Sequence, residues 1–229
     1  MAPVNLTLLG ISGISWTVVY LASIVIGFRE KTYCIPLWAL GLNVWWELLY
    51  GIGDLGTFLG RSSAFDPQIT VSLVWACFDL VIVVTFFKFG KKFLPQKAQE
   101  HFASYSCAVF GSCLLFQLAF FVHFGGGETA GTYSSFAQNA IMSVLWVVML
   151  VKRGSSEGQS LIIAWAKCLG TLAPTISHGL VLGVNSYVLC LGAVCLFWDL
   201  VYILMLSRQI KHERACAIDS RPETRVQPV

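Results

Sequence analysis

The chain has 229 residues, 56% of them hydrophobic and 12% charged, with a mean hydropathy of +0.72 and a formal net charge of +3. That balance excludes a soluble globular domain and gives little room for a nucleic-acid-binding surface. The expectation is an all-α, polytopic integral membrane protein.

A helix needs about 20 apolar residues to cross roughly 30 Å of hydrocarbon. Runs of that kind can be drawn seven times, near 6–28, 34–56, 69–88, 102–124, 132–151, 160–182 and 186–207. The first is too long for the apolar core of a removable signal and has no basic residue before it, so it is expected to stay as a span. The second carries Asn43, Glu47, Tyr50 and Asp54 at intervals of four, three and four, which places them on one stripe of a helix. The third holds a mid-span acid, Asp79, within Trp75-Ala76-Cys77-Phe78-Asp79. Gln117 interrupts the fourth and Lys167 the sixth; Lys167, about two turns from the span end, is expected to snorkel to the headgroups, and pairing with Asp199 is the weaker reading. The seventh repeats the pattern of the second in miniature, Trp198-Asp199-Leu200-Val201-Tyr202 against Trp46-Glu47-Leu48-Leu49-Tyr50.

Basic residues set the orientation. Arg29, Lys31, Lys88, Lys91, Lys92, Lys97, Lys152, Arg153, Arg208, Lys211, Arg214, Arg221 and Arg225 fall on one side, and Arg61 alone on the other. The N-terminus is therefore expected to be lumenal and the C-terminus cytosolic. Residues 1–207 read as one seven-span domain, and 208–229, polar and ending with Pro222 and Pro228, as a disordered cytosolic tail. Loops are short, so the spans are expected to pack as antiparallel neighbours. Gly125-Gly126-Gly127 and Gly90-Lys91-Lys92 read as flexible turns, because neither has the Ser/Thr of a phosphate loop. The eight cysteines include no Cys-x-x-Cys pair and read as small packing residues. The sequon Asn5-Leu6-Thr7 abuts the membrane and is expected to be unused.

A carboxylate at mid-bilayer costs about 2.5 to 3.5 kcal/mol even on lenient insertion scales, so intramembrane acids point to function. Asn or Ser would serve as interhelical glue more cheaply. From the rise of about 1.5 Å per residue, Glu47 lies about 20 Å and Asp199 about 12 Å from the cytosolic ends of their spans, and the two acids are expected to straddle a cavity. In a dry cavity at least one would stay protonated, a water-shielded proton donor. Trp38, Trp45, Trp46, Tyr50, Trp75, Phe78, Trp146, Trp165, Phe197, Trp198 and Tyr202 surround them; some belong to an interfacial belt, but Trp45, Trp46, Trp75 and Trp198 lie well inside spans. Aromatic faces can stabilise a desolvated cation by about 2 kcal/mol or more. No Asp-Asp-x-x-Asp run for magnesium diphosphate, no Asp-x-Asp-Asp run, and no Ser-His-Asp or metal-ligand set is present; His101, His123, His178 and His212 fall at span ends or in polar segments.

Asn43-Val44-Trp45-Trp46-Glu47 in span two and Trp198-Asp199 in span seven, within about 230 residues and seven spans, resemble the small integral-membrane terpene cyclases of fungal meroterpenoid and indole-diterpene pathways, the pyripyropene- and paxilline-type family. The resemblance runs through essentially the whole chain. It implies that an epoxidised prenyl chain on a polyketide or aromatic head group is cyclised after protonation of the epoxide. Glu47 and Asp199 match the family's two essential acids, with Asn43, Trp46, Tyr50, Trp198 and Tyr202 as cavity lining. Asp79 is not carried over by the resemblance and joins the lining on its position alone. The resemblance further implies no metal, nucleotide or flavin cofactor, an endoplasmic reticulum membrane, and association with the pathway's prenyltransferase and epoxidase.

The rival reading is a proton-coupled small-molecule transporter or a seven-helix receptor, since buried acids also build proton relays. Span seven has no lysine for a retinal Schiff base, and Asp-Arg-Tyr and Asn-Pro-x-x-Tyr are missing. Pro67-Gln68 and Pro95-Gln96 resemble paired motifs of small carriers but are expected in loops. A non-catalytic scaffold would leave both acids without a task.

Overall fold

The computed structural model describes residues 3–60 and 67–219, with side chains outside 52–60, 67–69 and 219, and among the described residues it is helical with no strand. The described residues form eight α-helices: α1 (Pro3–Arg29), α2 (Leu37–Gly60), α3 (Pro67–Phe89), the four-residue α4 (Gln96–Gln99), α5 (Phe102–Phe124), α6 (Gly127–Arg153), α7 (Leu161–Ile176) and α8 (Ser186–Asp219). A 3₁₀ turn, Gly90–Phe93, follows α3, and a π-helical turn, Ser177–Val181, follows α7. Among the described residues five stretches are long and apolar enough to cross a bilayer: Pro3–Arg29, Thr70–Phe93, Phe102–Phe124, Gly127–Arg153 and Ser186–Ile218. The expected spans 34–56 and 160–182 coincide with α2 and α7. The latter is 16 residues long before its backbone changes, short of the roughly 20 that a straight crossing needs.

The long helices form a ring, α1–α3–α2–α5–α6–α8–α7 and back to α1, with α2 also touching α6. Chain neighbours are therefore interleaved rather than always adjacent, contrary to the sequence expectation: α3 stands between α1 and α2, and α8 between α6 and α7. Residues 30–36 and 154–160 make these two skips. Seven residues extend about 23 Å, enough to pass one helix at interaxial distances of about 8–10 Å. The exterior is apolar, with Ile14 at 70% and Val122 at 76% exposure, while Asn43, Glu47, Asp79, Gln117, Gln138, Lys167 and Asp199 are all buried. Polar groups thus face inward, as they must when the surrounding solvent is hydrocarbon.

α7 shows how sequence shapes the bundle. Ser160 caps its start by accepting from the Ile162 and Ile163 amides. Pro174 has no N–H for the Gly170 carbonyl, and that carbonyl instead accepts from Ser12 of α1 at 2.8 Å. One turn later the helix widens into the π turn.

The ends correct two expectations. Pro67-Gln68 lies in the first turn of α3 rather than in a loop, whereas Pro95-Gln96 sits in the α3–α5 connection as expected, with Gln96 opening the four-residue α4. α8 runs on through 208–219, so this part of the tail is helical, not disordered; 220–229, with Arg221, Arg225, Pro222 and Pro228, and Arg61 in the 61–66 segment lie outside the described residues. The extension has a purpose in the packing: Glu213 accepts from the Ser156 amide at 2.8 Å and from Gln209 at 2.9 Å, clasping the α6–α7 loop. Asn5 of the sequon is buried within α1, where its side chain accepts from Ser177.

Candidate active site

The stripe on α2 points inward as its spacing requires. Asn43 is 5%, Glu47 2% and Tyr50 5% exposed; the side chain of Asp54, fourth on the stripe, lies outside the described residues. Asn43 is the hub. Its amide nitrogen donates to Asp79 Oδ2 at 2.9 Å and to the Tyr20 hydroxyl, and its oxygen accepts from Gln138 at 3.4 Å. Tyr20 in turn donates to Glu47 Oε1 at 3.5 Å, and Ser72 stands beside the same carboxyl. Behind Gln138, Gln117 donates to its oxygen and to the Leu42 carbonyl. The amides of α5, α6 and α2 thus all donate toward two carboxyls, which end the chain as acceptors. One oxygen of each acid, Glu47 Oε2 and Asp79 Oδ1, has no hydrogen-bond partner among the described residues.

This cluster brings together Asn43, Glu47 and Asp79 and adds four groups absent from the sequence-based site: Tyr20, Ser72, Gln117 and Gln138. Each is a polar residue inside an apolar run, so a signal existed. Tyr20 passes for ordinary aromatic lining, and only its hydroxyl position reveals the link from Asn43 to Glu47.

Asp199 is elsewhere. It sits on α8 against Lys167 of α7, Nζ to Oδ1 2.6 Å, with side-chain exposures of 1% for the lysine and 3% for the acid. Lys167 therefore does not snorkel; the pairing reading is the correct one, because the ammonium ends among Asp199, the Ser143 hydroxyl and the face of Trp146, whose ring centre is 5.6 Å away. Ser143 donates its own proton to the Asn139 carbonyl at 2.9 Å and so is turned to accept from the lysine. Asp199 Oδ2 and Trp146 Nε1 have no partner among the described residues. The two acids belong to clusters with no shared residue, which meet along α6 at Gln138 on one side and Ser143 on the other.

The aromatic residues divide. Trp38, Trp165 and Phe197 are 40%, 48% and 60% exposed and face outward, away from the acids. Trp45 donates to the Phe110 carbonyl, Trp46 to the Gly131 carbonyl and Trp75 to Thr17, each tying two helices together. Tyr50 lies 5.3 Å from Trp46 by ring centres and accepts from Ser134. Tyr202 directs its hydroxyl to Gln159 of the α6–α7 loop at 3.1 Å, and Trp198 packs beside Phe197. Two clefts open at the bundle ends, one of about 330 Å³ lined by residues including Glu128, Tyr133, His178 and Asn185, the other of about 440 Å³ lined by residues including Ser160, Lys211 and Arg214. Neither includes Glu47 or Asp199, so the acids are packed into the bundle rather than facing across either opening.

A family model described as Pyr4-like transmembrane terpene cyclases matches residues 1–180, a stretch that contains Glu47 and Asp79 and ends before Asp199. The chain is 29% identical over 164 residues to the Pyr4-family terpene cyclase mfmH of Annulohypoxylon moriforme, a match covering 70% of this chain and 64% of that protein. It is 26% identical over 200 residues to the terpene cyclase macJ of Penicillium terrestre, covering 84% and 66%. It is also 26% identical over 163 residues to the terpene cyclase andB of Emericella variicolor, covering 70% and 66%. The chain spans a little under two thirds of the length of these relatives. No solved structure matches it.

Proposed function

Since the chain belongs to the Pyr4-like transmembrane terpene cyclases, we propose that it is a terpene cyclase that protonates the terminal epoxide of a prenylated polyketide or aromatic substrate. In this reading the seven long helices all cross an endoplasmic reticulum membrane, N-terminus lumenal and C-terminus cytosolic. Lipid surrounds the catalyst, and the pathway's prenyltransferase and epoxidase work beside it.

The observation that carries the reading is the Glu47–Asp79 cluster. Both carboxyls are buried, and their partners Tyr20, Asn43 and Ser72 carry no positive charge. Two buried carboxyls with no cation among their described partners do not both ionise, because each uncompensated charge costs several kcal/mol. The cluster therefore stores a proton. Glu47 Oε1 is taken by Tyr20, which leaves Oε2 to carry that proton to an epoxide oxygen. As the proton arrives, the C–O bond breaks and its electron pair stays on oxygen as a hydroxyl. The tertiary carbon left positive is attacked by the next double bond, and rings close in sequence until one proton is lost. Trp46, Tyr50 and Trp75 present rings that favour the moving positive charge.

The test is ring formation from epoxyfarnesyl- and epoxygeranylgeranyl-linked aromatic substrates by microsomes carrying the wild type or Glu47→Gln, with EDTA present. General acid catalysis contributes about 10²- to 10⁴-fold, so Glu47→Gln should lose at least about 10²-fold while accumulating to wild-type levels. Full activity in that variant would remove Glu47 from the mechanism, and inertness of the wild type toward every epoxide offered would remove the cyclase reading.

A further inference from the structure

We propose that Lys167 is a positioning residue which holds Asp199 as a carboxylate, and that Asp199 accordingly takes the proton at the end of the cyclisation instead of delivering it at the start. This rests on the cyclase reading above and divides its two acids into opposite roles.

The asymmetry between the clusters carries the argument. The carboxyls of Glu47 and Asp79 are held by neutral amide and hydroxyl groups. Asp199 has an ammonium at 2.6 Å, and both partners are almost fully withdrawn from solvent. A buried lysine left unpaired is strongly unfavourable, and its attraction to the carboxylate is what keeps the pair charged. Ser143 and the Trp146 ring complete the lysine's surroundings from α6, so Nζ is fixed on the Oδ1 side. The neighbouring titratable side chains, Cys168 of α7 and Cys195 of α8, supply no second cation. An oxygen already committed to a salt bridge is a poor place to store a transferable proton.

What the arrangement leaves free is Asp199 Oδ2, without a partner among the described residues. A carbocation is so strong an acid that even a carboxylate stabilised by lysine accepts its proton readily. The balance is simple: one proton leaves Glu47 for the epoxide oxygen, one C–H or O–H bond of the cyclised cation breaks, its electron pair forms the last double bond or ether, and its proton goes to Asp199. The product is an isomer of the substrate. Water then takes the proton from Asp199 and returns one to Glu47, which resets the enzyme.

Single variants are confounded by the unpaired charge they leave, so the decisive variant is the double Lys167→Met/Asp199→Asn, which removes both charges. It is compared with wild type, Glu47→Gln and Lys167→Arg in detergent-solubilised protein, reading melting temperature, epoxide consumption and product identity together. The expected result has three parts. The double variant melts within a few degrees of wild type. It still consumes epoxide, but gives diverted products such as partially cyclised alcohols formed by water capture. Lys167→Arg, which keeps the cation, restores the wild-type product. Glu47→Gln, by contrast, leaves the epoxide intact. Wild-type product from the double variant would overturn the proposal and make the pair purely structural; an intact epoxide in a folded double variant would overturn it in the other direction, making Asp199 the initiating acid. Because wild type is assayed in parallel, a failure of the cyclase reading itself shows separately as an inert wild type.

Discussion

At the scale of single residues, Asn43 concentrates the most structure in the fewest atoms. Its one side chain satisfies Tyr20, Asp79 and Gln138 from three other helices. Replacing it with Ala leaves those partners without a bond, and each buried orphan costs about 1–3 kcal/mol. Asn43→Ala should therefore lose both stability and activity, a drop in melting temperature being the first sign. Tyr20→Phe is the sharper probe, because it removes only the hydroxyl that reaches Glu47. A neutral hydrogen bond contributes about 0.5–1.5 kcal/mol, so Tyr20→Phe should fold nearly normally yet turn over more slowly. Unchanged kcat in Tyr20→Phe would show that this link does not orient the acid.

At the scale of elements, the contact of α7 with α8 sets where Asp199 meets Lys167. Gly192 of α8 lies against Thr175 of α7 so closely that a Cβ there would collide with the threonine side chain. Two turns further along the same interface lies the ion pair, so any added atom at Gly192 tilts the geometry of the pair. Gly192→Ala should cost about 1–3 kcal/mol, the usual penalty of overpacking, and should lower activity. Adding Thr175→Gly, which clears the space, should recover most of both losses in melting and turnover measurements; no recovery would place the effect elsewhere.

At the scale of the whole molecule, the end of the bundle that carries the 30–36 and 154–160 loops is fastened as one unit. Arg153 donates to the Tyr33 and Glu157 carbonyls at 2.9 and 2.7 Å and lies over the Tyr33 and Phe93 rings. Glu30 accepts from the Gly158 amide at 2.9 Å, and Lys92 pairs with Glu157 at 2.8 Å. Gly158 makes this possible: its φ of +70° favours glycine, and a Cβ would stand 2.7 Å from Arg153 Nη1 and 2.9 Å from the Tyr33 carbonyl oxygen. Gly158→Ala should open the 154–160 loop to limited proteolysis while leaving the Glu47 cluster intact, which the rate of cutting and residual activity together check. Orientation has its own test. Cys216 is exposed on the α8 extension, so a membrane-impermeant maleimide added to sealed microsomes should label it from the cytosolic side. Labelling only after permeabilisation would invert the proposed orientation.

Much was legible in the chain alone because the bilayer imposes one-dimensional rules. A run of about 20 apolar residues has to become a helix, since no water can satisfy its backbone. A polar stripe at intervals of four and three has to face inward, and Glu47 marks itself by its cost in hydrocarbon. Hence the positions of the long helices, the inward placement of Asn43, Glu47 and Tyr50 on one stripe, and the family resemblance were all readable from residue type and spacing. What spacing does not encode is which helix stands beside which. The ring order, with α3 between α1 and α2 and α8 between α6 and α7, is a three-dimensional result of two loops long enough to skip a neighbour. That order alone decided that Lys167 turns inward to Asp199, that Tyr20 and Asn43 join Glu47 to Asp79, and that two similar sequence motifs occupy electrostatically opposite surroundings. A carboxyl's chemistry is set by its partners, and partners on other helices are chosen by packing rather than by sequence.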